Sequence, residues 1–304
     1  MKKVLLASTA LTVMSTAAFA QGVELSGSAE MGIADDGVND VQFFQSVDVR
    51  ISMTGETDAG LSFGATIDLD DAIDMGLNGH DSVDATNGDT PDFNVFVSGS
   101  FGTLTRGDTD GAFDWALTEV AALTSIADDH TIHGGYSGNS GLDGTYDGQV
   151  LRYDNSFGDF GFALSMEMDD TGTGDDVIGV GVKWSGDMGG SSIGVGLGYQ
   201  DNGLTDLTGL SLSAGIGEIS AVLNYTDNST GADHSAIGLT YETGAIGLHV
   251  NYGEVDGGAQ GFGLAVNYDL GGGAILALGY GDTSGSAVAA DNISTWSAGL
   301  SLSF

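Results

Sequence analysis

From Gly22 onward, segments of about ten residues alternate apolar with small or polar side chains, and turns rich in Gly, Asp and Asn separate them. In one such segment Phe160, Phe162 and Leu164 share a parity opposite to that of Glu167 and Asp169. Successive side chains of a strand point to opposite faces, so this period of two indicates strands with lipid on one side and water on the other. One parity rule applied along the chain gives about sixteen strands, which predicts an all-β, antiparallel transmembrane β-barrel.

The connections between these strands alternate in length. Short turns such as Ser156–Asp159 and Gly217 alternate with longer, acidic connections such as Gly107–Asp147 and Asn228–Asp233. An outer-membrane barrel has short turns at its periplasmic end and longer loops at its external end. An even number of strands places both ends of the sheet on the periplasmic side.

Aromatic side chains recur near the predicted strand ends, where an amphipathic ring suits the membrane interface. They are Tyr199, Tyr225, Tyr241, Tyr252, Tyr268, Tyr280 and Trp296.

The first residues have the pattern of a secretory signal peptide. Lys2 and Lys3 form a basic start, Val4–Val13 is mostly apolar, and Ala18–Ala20 is a small-x-small cleavage site. We therefore expect residues 1–20 to be removed and residues 21–304 to form a single barrel domain exported to the outer membrane.

Charge and cysteine content exclude several classes of function. The formal net charge is −37, and beyond residue 20 the basic side chains are Arg50, Arg106, Arg152 and Lys183, against 43 acidic ones. Nucleic-acid binding needs clustered Lys and Arg, so nucleic acid is not a partner. The chain has no cysteine, which excludes disulfides, thiolate metal sites and cysteine nucleophiles.

The sequence resembles the general diffusion porins of Gram-negative outer membranes, and within them the α-proteobacterial, Rhodobacter-like type. The likeness lies in VELSGSAEMGI, RISMTGETDAGLSFGATIDL, VFVSGSFGTLTRGDTDGAFDWAL and the terminal WSAGLSLSF. The resemblance implies a sixteen-stranded homotrimer whose third external loop, Gly107–Asp147, folds into each barrel and narrows it. It also implies that the ending with Trp296 and Phe304 is recognised by the outer-membrane assembly machinery. Within the loop, apolar spacing over Phe113–Ala127 predicts a short helix against the inner wall.

Porins of this family set acidic loop residues against a basic wall. The candidate acidic lining of the constriction is Asp108, Asp110, Asp114, Glu119, Asp128 and Asp129. Inward parity gives the candidate pore wall as Asp48, Arg50, Asp68, Asp70, Arg152 and Lys183, with the three basic residues expected across the lumen from the loop. Because basic residues are so few, we expect a preference for cations.

Two of the arginines have alternative interpretations. Arg50 is equally well explained as wall structure, paired with Asp48 or Asp68. Arg106 shares parity with Leu104, which strict alternation directs to lipid, where a central arginine is costly. Its position near an interface, at a bulge or in the trimer contact would resolve this conflict.

The acidic loops at 169–176 and Asp81–Asp92 are candidate Ca²⁺ sites, and such ions would bridge to lipopolysaccharide phosphates. The alternative is that these loops are simply solvated. No cofactor is otherwise expected.

The expected function is passive diffusion of ions and small hydrophilic solutes through a water-filled channel. One alternative is a substrate-specific channel, which calls for aromatic residues along the lumen; Phe44 and Phe96 are the main inward ones. The other is a barrel-based outer-membrane lipase or protease with a Ser/His pair. The chain contains neither H-E-x-x-H nor G-x-S-x-G, so we expect no enzyme; its histidines are His80, His130, His133, His234 and His249.

Overall fold

Sixteen antiparallel strands form one closed sheet in the computed structural model, which describes residues 22–69, 93–127, 133–135, 138–169, 172–288 and 292–304. Each strand pairs with its neighbours in sequence, and the first pairs with the last, so the predicted sixteen-stranded barrel is confirmed. The strands are β1 (Gly22–Asp35), β2 (Gln42–Glu56), β3 (Ser62–Asp68), β4 (Phe93–Gly99), β5 (Gly102–Asp108), β6 (Gln149–Phe157), β7 (Phe160–Glu167), β8 (Val177–Asp187), β9 (Ser191–Asp201), β10 (Asp206–Ile216), β11 (Ile219–Asn228), β12 (His234–Thr243), β13 (Ile246–Val255), β14 (Gln260–Gly271), β15 (Ala274–Ser284) and β16 (Ser294–Ser303).

The sheet closes between β1 and β16. Their register runs from Ser28 opposite Ser303 to Asp35 opposite Trp296. Two further hydrogen bonds follow the ladder: the Phe304 N–H donates to the Gly27 carbonyl at 2.9 Å, and the Gly27 N–H donates to the Phe304 carbonyl at 3.4 Å. Among the described strands, closure leaves none at a free edge of the sheet, as a sheet in hydrocarbon requires.

The two faces of the sheet differ in polarity in the sense the parity rule predicts. On β13, Val250 has 40% of its surface exposed, whereas its neighbours His249 and Asn251 have 4% and 1%. The apolar face is thus the outer one, and the polar face points into the barrel. This arrangement is the reverse of a soluble protein and is typical of a barrel surrounded by lipid.

Tyrosines mark the ends of the outer face, and several are bound to carboxylates. At the end with the longer connections, the Tyr225 hydroxyl donates to Asp233 at 2.7 Å and the Tyr252 hydroxyl to Glu254 at 2.9 Å. The Trp296 indole N–H donates to Asp35 at 3.1 Å. Each ring therefore has an apolar body on the lipid face and a polar edge at the rim, as an interfacial girdle requires.

Helical structure is minor. Helix α1 (Ala112–Ala116) lies in the long connection between β5 and β6. Within the described ranges, no helix has the length and apolar character needed to cross a membrane.

Candidate functional site

The connection between β5 and β6, residues 109–148, contacts the polar face of strands on opposite sides of the sheet; we call it the lumen segment. Near its start, the Ala112 N–H donates to Ser165 Oγ on β7 at 2.8 Å. Further along, Ile126 packs against Phe44 on β2 and Ala277 on β15. Because the sheet is closed and these contacts are on its inner face, the segment crosses the interior of the barrel.

Glycines of the inner wall make room for α1. A Cβ added to Gly181 would overlap the carbonyl oxygen of Ala112, and one added to Gly196 would overlap that of Ala116. The phenyl ring of Phe113 occupies the space beside Gly209 in the same way. At these positions the helix takes up the space that the missing side chains leave.

The helix is much shorter than the predicted Phe113–Ala127, so that prediction is wrong beyond Ala116. Wall side chains take the backbone donors that a longer helix would use internally. The Thr118 N–H donates to Ser211 Oγ at 3.1 Å, and the Ala122 N–H donates to His249 Nε2 at 3.3 Å. Tertiary contacts thus override the local helical periodicity.

Phe44, one of the two inward aromatic residues, is only 5% exposed because the tip of the lumen segment covers it. It forms an apolar cluster with Ala34, Ile126, Ala127 and Ala277. Phe44 is therefore an anchor for the segment and is not part of an aromatic track open to solutes.

A carboxylate that sequence reasoning did not single out holds the returning half of the segment. Glu167 on β7 is 1% exposed and accepts three backbone hydrogen bonds. The donors are the N–H groups of Gly144, Tyr146 and Gly148, at 3.0, 3.1 and 2.8 Å. Its inward parity was visible in the sequence, but its partners, about twenty residues earlier in an irregular segment, gave no periodic signal.

Gln200 on β9, which sequence reasoning also did not single out, holds the returning half of the lumen segment as well. Its Oε1 accepts from the Leu142 N–H at 2.7 Å, and its Nε2 donates to Asp143 Oδ1 at 2.6 Å. Asp143 in turn accepts from the Gly111 N–H at 2.7 Å, which joins the two arms of the lumen segment.

Asp108 lies where the segment leaves the wall. Strict alternation would place it on the lipid face with Arg106, but Gly107 between them has φ +133°, a conformation that favours glycine. Asp108 turns inward and lines a cavity on the lumen side of β2–β5. The other lining residues are Arg50, Ser52, Thr66, Asp68 and Asn94.

Three predicted acidic residues lie on the described part of the lumen segment, and their charges interact. Burial raises the pKa of Asp114 to about 7, and the nearby carboxylates of Asp110, Glu119 and Asp143 act in the same direction. Burial likewise raises the pKa of Asp143 to about 6. The Glu119 carboxylate accepts from the Asn139 N–H at 3.0 Å. Asp114 is thus only partly ionised at pH 7, which a count of acidic residues could not reveal.

Two predicted basic residues contact the lumen segment directly and do not face it from across the lumen. Arg152 donates to the Asp110 carbonyl at 2.6 Å and pairs with Asp154 at 3.1 Å. Lys183 donates to the Trp115 carbonyl at 2.8 Å, with its ammonium 3.6 Å from the centre of the Trp115 ring. Arg152 on β6 thus binds a carbonyl just before α1, and Lys183 on β8 binds a carbonyl of α1 itself.

Arg50 is paired as wall structure. Its Nε donates to Asp68 at 2.9 Å and its Nη2 contacts the same oxygen, while Asp48 accepts from Ser28 Oγ at 3.2 Å. Arg50 therefore pairs with Asp68, one of the two partners considered for it. The predicted site residues Asp70, Asp128 and Asp129 lie outside the described residues.

Arg106 remains on the outer face but close to the rim. It lies two residues before the end of β5, opposite Val95 and Leu151, and donates to Gln149 Oε1 at 3.2 Å. A long side chain in this position can keep its charge at the interface. Of the three positions considered, the structure supports the interfacial one.

In the part of the chain that the structure describes, no group of three or more His, Asp or Glu side chains is arranged to hold a metal ion. In the 169–176 loop, the Asp169 carboxylate accepts from the Thr173 N–H at 2.7 Å and also from the Gly174 N–H. The 81–92 loop, His80 and His130 lie outside the described residues. Ca²⁺ binding by the acidic loops stays a prediction.

A closed barrel of sixteen strands, with an apolar outer face and a polar interior crossed by a chain segment, defines a transmembrane β-barrel of the porin class. The model of the Gram-negative porin family matches residues 7–303, and the chain belongs to this family. The resemblance inferred from sequence is confirmed. Family and fold together imply the outer membrane as its location.

Individual porins resemble the chain in sequence and in fold. The chain is 30% identical to a porin of Rhodobacter capsulatus over 302 residues, covering 86% of this chain and 94% of that protein. A refined porin structure superimposes with a TM-score of 0.70 at 26% identity, over 93% of this chain and 100% of the other. A triple mutant of Rhodopseudomonas blastica porin shares the fold, with a TM-score of 0.69 at 22% identity over the same shares.

Proposed function

We propose that the barrel is a water-filled channel for passive diffusion of ions and small hydrophilic solutes, with a preference for cations. The distribution of charge on and around the lumen segment supports the preference for cations. Asp108, Asp110, Asp114 and Glu119 lie on the lumen segment or where it begins, whereas Arg152 and Lys183 are bound to that segment's carbonyl groups. Carboxylates in a narrow passage with low-dielectric walls raise the local concentration of cations and repel anions.

Passive diffusion follows from the size of the barrel. A barrel of about sixteen strands leaves an aqueous channel, and the chemistry needs no covalent step. The burial of Phe44 beneath Ile126 disfavours the substrate-specific alternative, since it removes an aromatic contact from the solute path. The proposal also excludes an enzyme: His133, on the lumen segment, binds the wall, and the wall residues His234 and His249 bind the lumen segment.

Recording ionic current across a lipid bilayer tests whether the barrel is an open channel. Purified, refolded protein added to a planar lipid bilayer in symmetrical KCl is expected to give discrete current steps. We propose a homotrimer, so the steps are expected in groups of three, and liposomes containing the protein are expected to swell in small neutral sugars. Protein that inserts without conducting would contradict the proposal and return attention to the lipase or protease alternative.

Selectivity is expected to depend on pH because two lumen-segment carboxyls titrate near neutrality. Raising the pH from 5.5 to 8 ionises Asp143, with a pKa of about 6, and Asp114, with a pKa of about 7. Each lost proton adds a negative charge, so the ratio of K⁺ to Cl⁻ permeability should rise with pH. Reversal potentials measured at each pH would show this, and Asp114→Asn should remove the upper part of the rise. A ratio independent of pH would place these carboxyls outside the ion path.

We also propose that Phe304 is the assembly signal implied by the porin resemblance. Its backbone is held by Gly27, but its side chain is 78% exposed and accessible to a partner. Deleting Phe304 is expected to reduce folded protein in the outer membrane about tenfold or more, since the apolar terminal side chain is lost. Phe304→Tyr, the matched control, should assemble normally. Heat-modifiable migration on gels measures the folded fraction; equal levels for the deletion and the control would contradict this role.

Three further features belong to the proposal: cleavage after Ala20, contact with lipopolysaccharide, and Ca²⁺ in the acidic external loops. Their support is the signal-peptide pattern and the acidity of the connections at one end of the barrel.

A further inference from the structure

The cavity on the lumen side of β2–β5 is lined by polar side chains from four consecutive strands. Its volume is about 280 Å³, close to the lower end of the ~300–1,000 Å³ that small-molecule sites occupy. The lining residues are Arg50, Ser52, Thr66, Asp68, Asn94 and Asp108. The hydrogen bonds described above attach the lumen segment to another part of the wall, from Arg152 on β6 to His249 on β13. The cavity therefore lies on the inner wall away from these attachments.

Uncharged polar groups form the middle of the cavity. In the sheet register Ser52 lies opposite Thr66, and Thr66 lies opposite Asn94. Hydroxyl and amide groups both donate and accept hydrogen bonds. This row can therefore replace water around an uncharged polar group of a solute, such as a peptide bond.

An accessible cation lies at one end of the row. Arg50 reaches across to Asp68 on the next strand, and its side chain is 56% exposed, whereas that of Asp68 is 13% exposed. The ion pair thus presents its guanidinium to the lumen and keeps its carboxylate in the wall. Guanidinium groups form strong charge-assisted hydrogen bonds with carboxylates, so this end of the cavity suits an anionic group.

An accessible carboxylate lies at the other end of the row. Asp108 ends β5 and is exposed, and the Asn94 amide donates to its backbone carbonyl at 3.3 Å. Because the charges of Arg50 and Asp68 cancel, Asp108 gives its end of the cavity a negative charge. A solute ammonium group suits this end.

The separation of the two ends selects the length of a ligand. Strand β4 lies between β3 and β5, so at ~4.8 Å per strand spacing the backbones of Asp68 and Asp108 are about 10 Å apart. Charge-assisted hydrogen bonds of about 2.8 Å at both ends leave about 4 Å for the ligand itself. An α-amino acid has a single carbon between its charged groups and is too short. A second residue adds about 3.5 Å, so a dipeptide can reach both ends and place its peptide bond over the uncharged row.

We propose that this cavity is a weak binding subsite for short zwitterions of dipeptide length, whose carboxylate pairs with Arg50 and whose ammonium group pairs with Asp108. A neutral sugar would use neither charge, and a simple cation would use only Asp108. Weak binding enriches such solutes in the lumen and still lets them leave. The effect on permeation rests on the proposed channel function, whereas the binding does not.

Isothermal titration calorimetry of the refolded protein in detergent tests the binding. At pH 7 glycylglycine carries both charges. We expect it to bind at least about tenfold more tightly than glycine, which is too short, and than N-acetylglycylglycine, which lacks the ammonium group. Equal affinities for the three compounds would overturn the proposal.

Variants separate the two ends of the cavity. Arg50→Gln combined with Asp68→Asn removes the ion pair without changing the net charge. This double variant should bind glycylglycine about tenfold less tightly, whereas its affinity for glycylglycinamide, which has no carboxylate, should change less than about twofold. Asp108→Asn should weaken the binding of both compounds. Asp201→Asn, which removes a carboxylate from the outer face, is the control and should weaken neither.

Planar-bilayer recordings connect the binding with permeation. Millimolar glycylglycine is expected to interrupt the K⁺ current of the wild type and not that of the double variant. Equal affinity of the wild type and the double variant for glycylglycine would overturn the subsite even if the barrel conducts. Binding as expected by a barrel that never conducts would instead contradict the channel function alone.

Discussion

Replacing Asp108, Asp114 and Glu119 with Asn, Asn and Gln is expected to remove most of the preference for cations. Asp108 ends β5 where the lumen segment begins, Asp114 lies on α1 and Glu119 follows it. In the proposed channel, ions that cross the barrel pass close to all three. The measurement is made at pH 8 because the pKa of Asp114 is raised to about 7, so that this carboxyl is mostly ionised there. We expect the K⁺ to Cl⁻ permeability ratio to fall at least about threefold, or about 0.7 kcal/mol in relative barrier height.

The barrel offers a matched control on its outer face. Asp201, Asp227 and Glu254 share parity with the exposed tyrosines of their strands and lie at the same end of the barrel. Their neutralisation removes as many charges without touching the lumen. Reversal potentials that shift equally for both triple variants would show that overall charge, and not the lumen segment, sets the selectivity.

Adding a single methyl group to Gly181 or Gly196 is expected to displace α1 from the wall. Each new Cβ would overlap a backbone carbonyl of the helix, which cannot rotate away as a side chain can. Gly181→Ala and Gly196→Ala should each cost about 1–3 kcal/mol of packing and push the helix into the lumen. We therefore expect a lower single-channel conductance and a lower temperature of unfolding.

Gly194→Ala is the control for this pair of variants. Gly194 lies on the same strand and the same face as Gly196, but its added Cβ would overlap the Ser213 hydroxyl, which can rotate, and would meet the Trp184 carbonyl only at an ordinary 3.8 Å. Its conductance should match that of wild type. Normal conductance in Gly196→Ala would contradict the close packing of α1 on the wall.

The barrel was predictable because lipid outside and water inside impose a period of two on every strand. Val250 between His249 and Asn251 illustrates the signal, and it repeats around the sheet. The path of the lumen segment was predictable only as a family expectation. Its anchors, such as Glu167 and Gln200, bind irregular backbone far away in sequence, so no periodic pattern marks them.

The electrostatics of the site depended on contacts that sequence cannot supply. Lys183 and Arg152 were correctly placed on the inner face, but their attachment to carbonyls around α1 became evident only from the fold. Asp114 counts as a full charge in the sequence, whereas burial beside other carboxylates leaves it partly protonated at pH 7. Asp108 faces inward because Gly107 interrupts the alternation, an effect that strict parity cannot foresee.

The reversal potential of the wild-type protein tests the central claim most directly. Refolded protein in a planar bilayer would be studied at pH 8 under a tenfold KCl gradient, after discrete conductance steps have shown that channels are open. A cation-preferring lumen predicts that the dilute side becomes positive, because K⁺ crosses more readily than Cl⁻. A potential near zero, or one of opposite sign, would contradict an acidic filter formed by the lumen segment.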